Sequence, residues 1–109
     1  MHYRRHFFVC TNRREADSGM PSCALNGSIA VAAALRRARD ANGLIASVFV
    51  TETLCLGPCP RAGATVVVYP EAVWYEGVTA ADVEEIATEH MVGGRPVERL
   101  RSAAWRLAR

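Results

Sequence analysis

Four cysteines are the residues of this 109-residue chain whose type and spacing are best suited to chemistry. Twelve residues separate Cys10 from Cys23, and three residues separate Cys55 from Cys59. Thiolates are soft ligands that select iron–sulfur clusters, zinc or Cu(I) over harder metals. Four thiolates are also the number that a [2Fe–2S] cluster requires, with two on each iron. The cysteine set therefore indicates a metal centre, and a [2Fe–2S] cluster is the occupant that we expect.

Three other uses of four cysteines explain the pattern less well. Structural zinc sites usually take their ligands in pairs spaced C-x2-C or close to it, so the gap between Cys10 and Cys23 is unusual for zinc. A thioredoxin-type thiol enzyme would carry C-x-x-C, which this sequence lacks. Disulfides are rare in reducing compartments, and the first residues do not resemble a signal peptide, so we expect a cytoplasmic protein with free thiols. A structural zinc-binding module remains the alternative.

Apolar runs and helical spacing predict the first elements of the chain. Residues 6–10 predict a strand, residues 23–42 an Ala-rich helix, and residues 44–51 a second strand. Residues 65–69 and 72–75 predict a hairpin of two further strands. A strand, a helix and a second strand normally form a unit in which both strands run parallel and the crossover is right-handed.

The last third of the chain adds helices to this sheet. Residues 79–82 form a capping-box pattern, with Asp in place of the usual Glu, ahead of a second helix that ends at Gly93. Residues 96–107 predict a short last helix. The resulting plan is a single α/β domain over residues 1–109. Its fold is thioredoxin-like, with a four-stranded mixed sheet, two main helices and a short C-terminal helix.

This plan brings the cysteines toward one end of the sheet. Cys10 ends the first strand, and Cys23 opens the first helix. Cys55 and Cys59 both lie in the loop after the second strand. In a βαβ unit, the ends of the parallel strands and the start of the connecting helix can meet at the same end of the sheet. We therefore expect the four sulfur atoms to converge there.

The composition argues against several classes of function. Half of the residues are hydrophobic, 22% are charged and the formal net charge is only +2, which gives little support for nucleic-acid binding. No apolar run is long enough to span a bilayer, so we expect no membrane partner. We find no phosphate-binding loop and no Ser-His-Asp pattern, and we do not expect an enzyme. The role of the basic stretch 95–109 stays open.

Six short segments, which include all four cysteines, resemble the thioredoxin-like [2Fe–2S] ferredoxins, also called Shethna-type ferredoxins. The segments are residues 8–14, 22–23, 55–59, 66–71, 73–75 and 93–97, and the resemblance covers nearly the whole chain. It implies one cluster per chain, with Cys10 and Cys23 on one iron and Cys55 and Cys59 on the other, more exposed iron. It also implies a homodimer that transfers one electron at a time.

The resemblance leaves two functions open. In the first, the protein carries electrons between a reductase and an acceptor enzyme. In the second, it binds a redox enzyme such as nitrogenase in one oxidation state and protects or regulates that enzyme. Nitrogen fixation is therefore one candidate setting. Neither the partners nor the reduction potential follow from the sequence.

Overall fold

The computed structural model describes residues 3–11, 27–54 and 63–102. Within these ranges the chain forms four strands and two helices in the predicted order, which confirms the α/β plan. The elements are β1 (Arg5–Cys10), α1 (Ser28–Ala41), β2 (Val48–Thr53), β3 (Ala64–Tyr69), β4 (Val73–Val78) and α2 (Val83–Ile86).

The four strands form one mixed sheet in the order β2-β1-β3-β4. β1 and β2 run parallel, with Arg5 opposite Val48 and Cys10 opposite Thr53. β3 runs antiparallel to both β1 and β4, and β3 and β4 form the predicted hairpin. Parallel strands need a crossover connection, and α1 supplies it here. β1 is therefore a central strand, with hydrogen-bonded neighbours on both sides.

The hydrophobic core lies between one face of the sheet and the helices. Side chains alternate between the faces of a strand, so Phe7 and Val9 of β1 share one face. They belong to the same core cluster as Val31 and Leu35 of α1 and Ile86 of α2. All five side chains are completely buried. Burial of such a side chain contributes about 1.5–3 kcal/mol, so this layer holds α1 and α2 on the sheet.

The second helical region is irregular. The N–H of Thr79 donates to Oδ2 of Asp82 at 2.9 Å, which confirms the predicted capping box. A 3-10 turn (Ala80–Asp82) leads into α2, and a π-helical turn (Ala87–Val92) follows it. Short π-helical turns inside α-helices often occur at functional sites of proteins. In the described part of the chain, no helix has both the length and the apolar character needed to cross a membrane.

The structure corrects the predicted start of the second strand. β2 begins at Val48 and not at residue 44. The carbonyl of Leu44 accepts hydrogen bonds from the N–H groups of Ser47 and Val48, at 3.0 and 2.9 Å. These local bonds form a turn, so the backbone of residues 44–47 does not take part in the strand pairing.

The structure also corrects the predicted last helix. Up to residue 102, this part of the chain holds only a 3-10 turn (Glu98–Leu100). Arg101 then forms an antiparallel bridge with Tyr75, and the N–H of Ser102 donates to the carbonyl of Trp74 at 2.7 Å. The edge strand β4 offers backbone groups that need partners, and the chain extends along them instead of coiling. Residues 103–107 of the predicted helix lie outside the described residues.

Candidate metal centre

Cys10 is the one predicted ligand that lies within the described residues. It is the last residue of β1, it is 1% exposed, and its thiol is free. Its partner in β2 is Thr53, and the N–H of Thr11 continues the pairing by donating to the carbonyl of Thr53 at 3.0 Å. Because β1 lies between β2 and β3, the backbone of Cys10 is held at a fixed place at the end of the sheet.

Two segments outside the described residues begin and end at one end of the sheet, where β1 and β2 finish and β3 starts. Cys10 lies at this end, which we call the Cys10 edge of the sheet. Residues 12–26 leave the C-terminal end of β1 and enter α1, and residues 55–62 leave the C-terminal end of β2 and enter β3. Because β3 runs antiparallel to β1, its first residue lies at this same edge. The three remaining predicted ligands belong to these segments and lie outside the described residues: Cys23, Cys55 and Cys59.

The direction of α1 places its N-terminus toward the same edge. The far end of α1 leads through a short turn to Val48, which lies opposite Arg5 at the other edge of the sheet. Along α1, Nη1 of Arg36 lies 2.8 Å from Oε2 of Glu52, near the end of β2. Ser28 lies eight residues earlier in the helix, about 12 Å along its axis at 1.5 Å per residue. Ser28 therefore lies on the side of Cys10.

Ser28 brings a buried hydroxyl to this end of the sheet. Its side chain is completely buried, and its hydroxyl has no hydrogen-bond partner among the described residues. The preceding residue, Gly27, has φ 88° and provides no side-chain cap. Among the described residues, the first helical hydrogen bond of α1 runs from the N–H of Val31 to the carbonyl of Gly27. A buried hydroxyl is unfavourable without a partner, so this position calls for an acceptor.

A close backbone contact fixes the point where the chain returns from residues 55–62. A Cβ atom on Gly63 would lie 2.6 Å from Cα of Gly77 in β4, a separation that real Cβ atoms do not show. Gly63 also has φ +74°, in the left-handed region that favours glycine. Only glycine therefore allows β3 to start this close to β4, and the start of β3 bounds the cysteine-containing segment.

The described residues contain no rival metal site. In residues 3–11, 27–54 and 63–102, no group of three or more His, Cys, Asp or Glu side chains could hold a metal ion. His6 already has a partner, since its Nε2 lies 2.6 Å from Oγ1 of Thr51. Among the described residues, Cys10 is thus the cysteine whose thiol is free to bind a metal. Together with three further cysteines in the adjoining segments, it fits the all-thiolate ligand set of a [2Fe–2S] cluster.

A buried polar chain runs from Tyr75, which lies opposite Val66 of β3, to Arg5 at the start of β1, and sequence reasoning assigned it no role. Nδ1 of His90 lies 2.7 Å from the hydroxyl of Tyr75, which accepts the N–H of Val97 at 2.9 Å. On the other side of the ring, Nε2 lies 3.6 Å from Oε1 of Glu71, too far for a hydrogen bond. Oε2 of Glu71 accepts from Nε of Arg5 at 2.8 Å. No sequence pattern links these residues, because they come from four separate parts of the chain.

Burial favours the neutral forms of His90 and Tyr75 in these buried polar contacts. It lowers the pKa of His90 below its usual value, and the nearby Glu71 carboxylate opposes this only in part. Burial also raises the pKa of Tyr75 to about 12. The Glu71 carboxylate only accepts hydrogen bonds, so a neutral imidazole that carries its proton on Nε2 suits the side of the ring that faces Glu71. With that tautomer, Nδ1 of His90 accepts the proton of the Tyr75 hydroxyl.

Comparisons with known proteins show which family the chain belongs to. No family model matches the chain. Over 97 residues the chain is 40% identical to a 2Fe-2S ferredoxin from Clostridium pasteurianum, and the match covers 89% of this chain and 94% of that protein. Over 97 residues it is also 40% identical to a 2Fe-2S ferredoxin from Aquifex aeolicus, covering 88% of this chain and 86% of that protein.

A solved structure shares both the sequence and the fold. The wild-type thioredoxin-like [2Fe–2S] ferredoxin from Aquifex aeolicus matches with a TM-score of 0.85 and 38% sequence identity. The match covers 94% of this chain and 99% of that chain. Sequence identity at this level over nearly the full length, with the same fold, shows common ancestry. The chain belongs to the thioredoxin-like [2Fe–2S] ferredoxins, which are electron carriers and not enzymes.

Proposed function

We propose that Cys10, Cys23, Cys55 and Cys59 hold one [2Fe–2S] cluster per chain, in a single domain over residues 1–109. In this proposal the first two cysteines bind one iron and the last two bind the other, more exposed iron. One observation carries the proposal: Cys10 is a buried, free thiol at the edge of the sheet where both cysteine-containing segments begin and end.

Chain connectivity supports the convergence of the four sulfur atoms. Cys55 directly follows Leu54, so their Cα atoms are about 3.8 Å apart. Cys23 and Cys59 each lie four residues before the chain re-enters the described ranges, so neither Cα can be more than about 14 Å from the edge residue that follows. Leu54 in turn follows Thr53, the strand partner of Cys10. Covalent geometry therefore allows all three cysteines to reach a shared centre.

The bound cluster would supply a one-electron couple, and the surrounding residues support its use by redox partners. Cys10 is buried and shields its side of the centre from water. Leu54, 77% exposed, and Ile29, 58% exposed, offer apolar contacts to a protein that docks close to the centre. A reductase and an acceptor enzyme would dock here in turn. Nitrogenase is one candidate acceptor. We propose the cytoplasm as the compartment, because a reducing environment keeps cysteines available as thiolate ligands.

We further propose that the protein is a homodimer joined through the outer face of the sheet, opposite the core. Tyr3, Phe49 and Tyr69 are 38–43% exposed, and the rings of Tyr3 and Phe49 stack with centroids 4.9 Å apart. The rings of His6 and Phe8 stack beside them at 3.9 Å. Aromatic side chains are enriched at protein interfaces. The family resemblance favours a second copy of the chain as the occupant of this face.

The cluster is tested on protein purified without oxygen. We expect visible absorbance that bleaches with dithionite, an S = 1/2 EPR signal, and about two irons and two sulfides per chain. A Ser variant of each cysteine, such as Cys10→Ser, should lower iron and sulfide content or change the EPR signal. Ser102→Ala, which changes a buried residue outside the site, is the matched control and should change neither. A colourless protein with one zinc per chain would reject the proposal.

Carrier function is tested separately by mixing the reduced protein with an isolated acceptor enzyme. We expect the visible bands to return at a rate that depends on acceptor concentration. A stable complex in one oxidation state, without return of those bands, would instead support a regulatory role.

A further inference from the structure

We propose that Ser28 is a positioning residue of the metal centre. Its buried hydroxyl donates a hydrogen bond to a sulfur atom there, either a cysteine ligand or a bridging sulfide, and thereby raises the reduction potential. This inference rests on the proposed function, because it requires a cluster at the edge of the sheet where Cys10 lies.

The first support is the direction in which Ser28 faces. The buried residues of α1 recur at helical spacing, as Ser28, Val31, Ala32 and Leu35. Val31, Ala32 and Leu35 belong to the core between α1 and the sheet. Residues three, four and seven positions apart share one face of a helix, so Ser28 faces the same way. It lies one turn beyond Val31, past the core and toward the cysteine-containing segments.

The second support is the missing partner of the hydroxyl. Ser28 is completely buried, yet its Oγ has no hydrogen bond among the described residues. It does not act as the helix cap, since Gly27 occupies that position. An unsatisfied buried hydroxyl is unfavourable, so the position calls for an acceptor. Thiolate and sulfide sulfur atoms carry negative charge, and hydrogen bonds to charged acceptors are stronger than neutral ones.

Electrostatics gives the direction of the effect. Reduction adds one negative charge to the centre, so donors aimed at its sulfur atoms stabilise the reduced form more than the oxidised form. The N-terminus of α1 acts in the same direction through its partial positive charge. Replacing Ser28 removes the hydroxyl and leaves the helix dipole in place. The variant should therefore have a lower potential than the wild type.

The test compares Ser28→Ala with Ser102→Ala in the cluster-loaded protein. Ser102 is the matched control. Its Oγ is also buried and has no partner in the part of the chain that the structure describes, but Ser102 lies beside β4 and its N–H donates to Trp74. We expect Ser28→Ala to favour the oxidised form about tenfold, which is about 59 mV for one electron. Ser102→Ala should keep the wild-type potential. Resonance Raman spectra add a second readout, since the Fe–S bands of the wild type should shift in D2O and those of Ser28→Ala should shift less.

The potential and the D2O shift of the Ser28 variants decide whether the hydroxyl bonds to the cluster. A loaded Ser28→Ala protein with the wild-type potential and the wild-type D2O shift would overturn it, while the proposed function would stand. If Ser28→Ala loses the cluster, Ser28→Gly and Ser28→Thr are measured. Retention by Thr alone, which keeps the hydroxyl, supports the inference, and loss in all three variants overturns it. A wild-type protein without any cluster would instead reject the proposed function.

Discussion

The hydroxyl of Tyr75 lies 2.7 Å from Nδ1 of His90, and both side chains are completely buried. Tyr75 belongs to β4 and His90 to the π-helical turn after α2, so this hydrogen bond joins the edge of the sheet to the second helical region. The same hydroxyl accepts the N–H of Val97 and thereby also holds the segment that follows. One oxygen atom thus ties three parts of the fold together.

Tyr75→Phe should destabilise the protein. The change leaves Nδ1 of His90 and the N–H of Val97 unpaired inside the protein, and each unpaired buried group costs about 1–3 kcal/mol. We expect the free energy of unfolding in urea to fall by about 2 kcal/mol or more. Tyr69→Phe, at an exposed position, is the control and should change it by about 0.5 kcal/mol or less. Equal stability of the two variants would contradict the role of the hydroxyl.

The free energy of unfolding should decrease as the pH is lowered below about 6.5, because burial lowers the pKa of His90 in the folded state. The unfolded protein then binds more protons than the folded one. The contribution of His90 is complete above the unfolded pKa and is lost as the pH falls through the folded pKa. Glu71 favours the charged ring, whereas Arg5 and Arg101 oppose it.

The pH prediction is checked by urea unfolding between pH 7.5 and 5. His90→Asn keeps an acceptor for the hydroxyl of Tyr75 but cannot titrate, so its stability should depend less on pH in this window. Burial also lowers the pKa of His6, but that ring is only partly buried. His6→Asn should therefore remove a smaller part of the slope. An unchanged slope in His90→Asn would exclude this histidine as the source.

Gly63→Ala should destabilise the protein more than Gly43→Ala. Both glycines have positive φ, +74° and +68°, and a left-handed conformation costs a residue other than glycine about 1–2 kcal/mol. A Cβ atom on Gly43 would meet nothing within 4 Å, whereas one on Gly63 would overlap the backbone of Gly77. Thermal unfolding of both variants measures the difference. We also expect lower iron content in Gly63→Ala, since Gly63 ends a cysteine-containing segment, and equal losses would contradict the contact.

Phe49→Asp should shift the protein from dimer to monomer. The substitution places a charge in the middle of the exposed aromatic face, next to Tyr3 and His6. Sedimentation analysis at micromolar concentration measures the mass. Ile45→Asp is the matched control, because Ile45 is an equally apolar, more exposed residue in the turn before β2. A wild-type protein that is already monomeric, or a Phe49→Asp protein that stays dimeric, would reject this interface.

Local patterns predicted the elements well where the periodicity was strong. The apolar run before Cys10 and the triple valine of β3 became buried strands, and the capping box of Thr79 and Asp82 formed as predicted. Prediction failed where tertiary contacts compete with local preference. Residues 96–102 have a helical composition, but the open edge of β4 offered hydrogen bonds to Arg101 and Ser102 instead.

The sequence by itself predicted the soft-ligand chemistry, and it determined the order of the elements along the chain and the family, because residue types, apolar periodicity and short motifs are local properties of the chain. Only the tertiary structure decided that Ser28 is buried, with no partner for its hydroxyl among the described residues, and that Tyr75 and His90 share a hydrogen bond. Burial and hydrogen-bond partners depend on which distant surfaces meet when the helices pack on the sheet. A pattern of neighbouring residues does not contain that information.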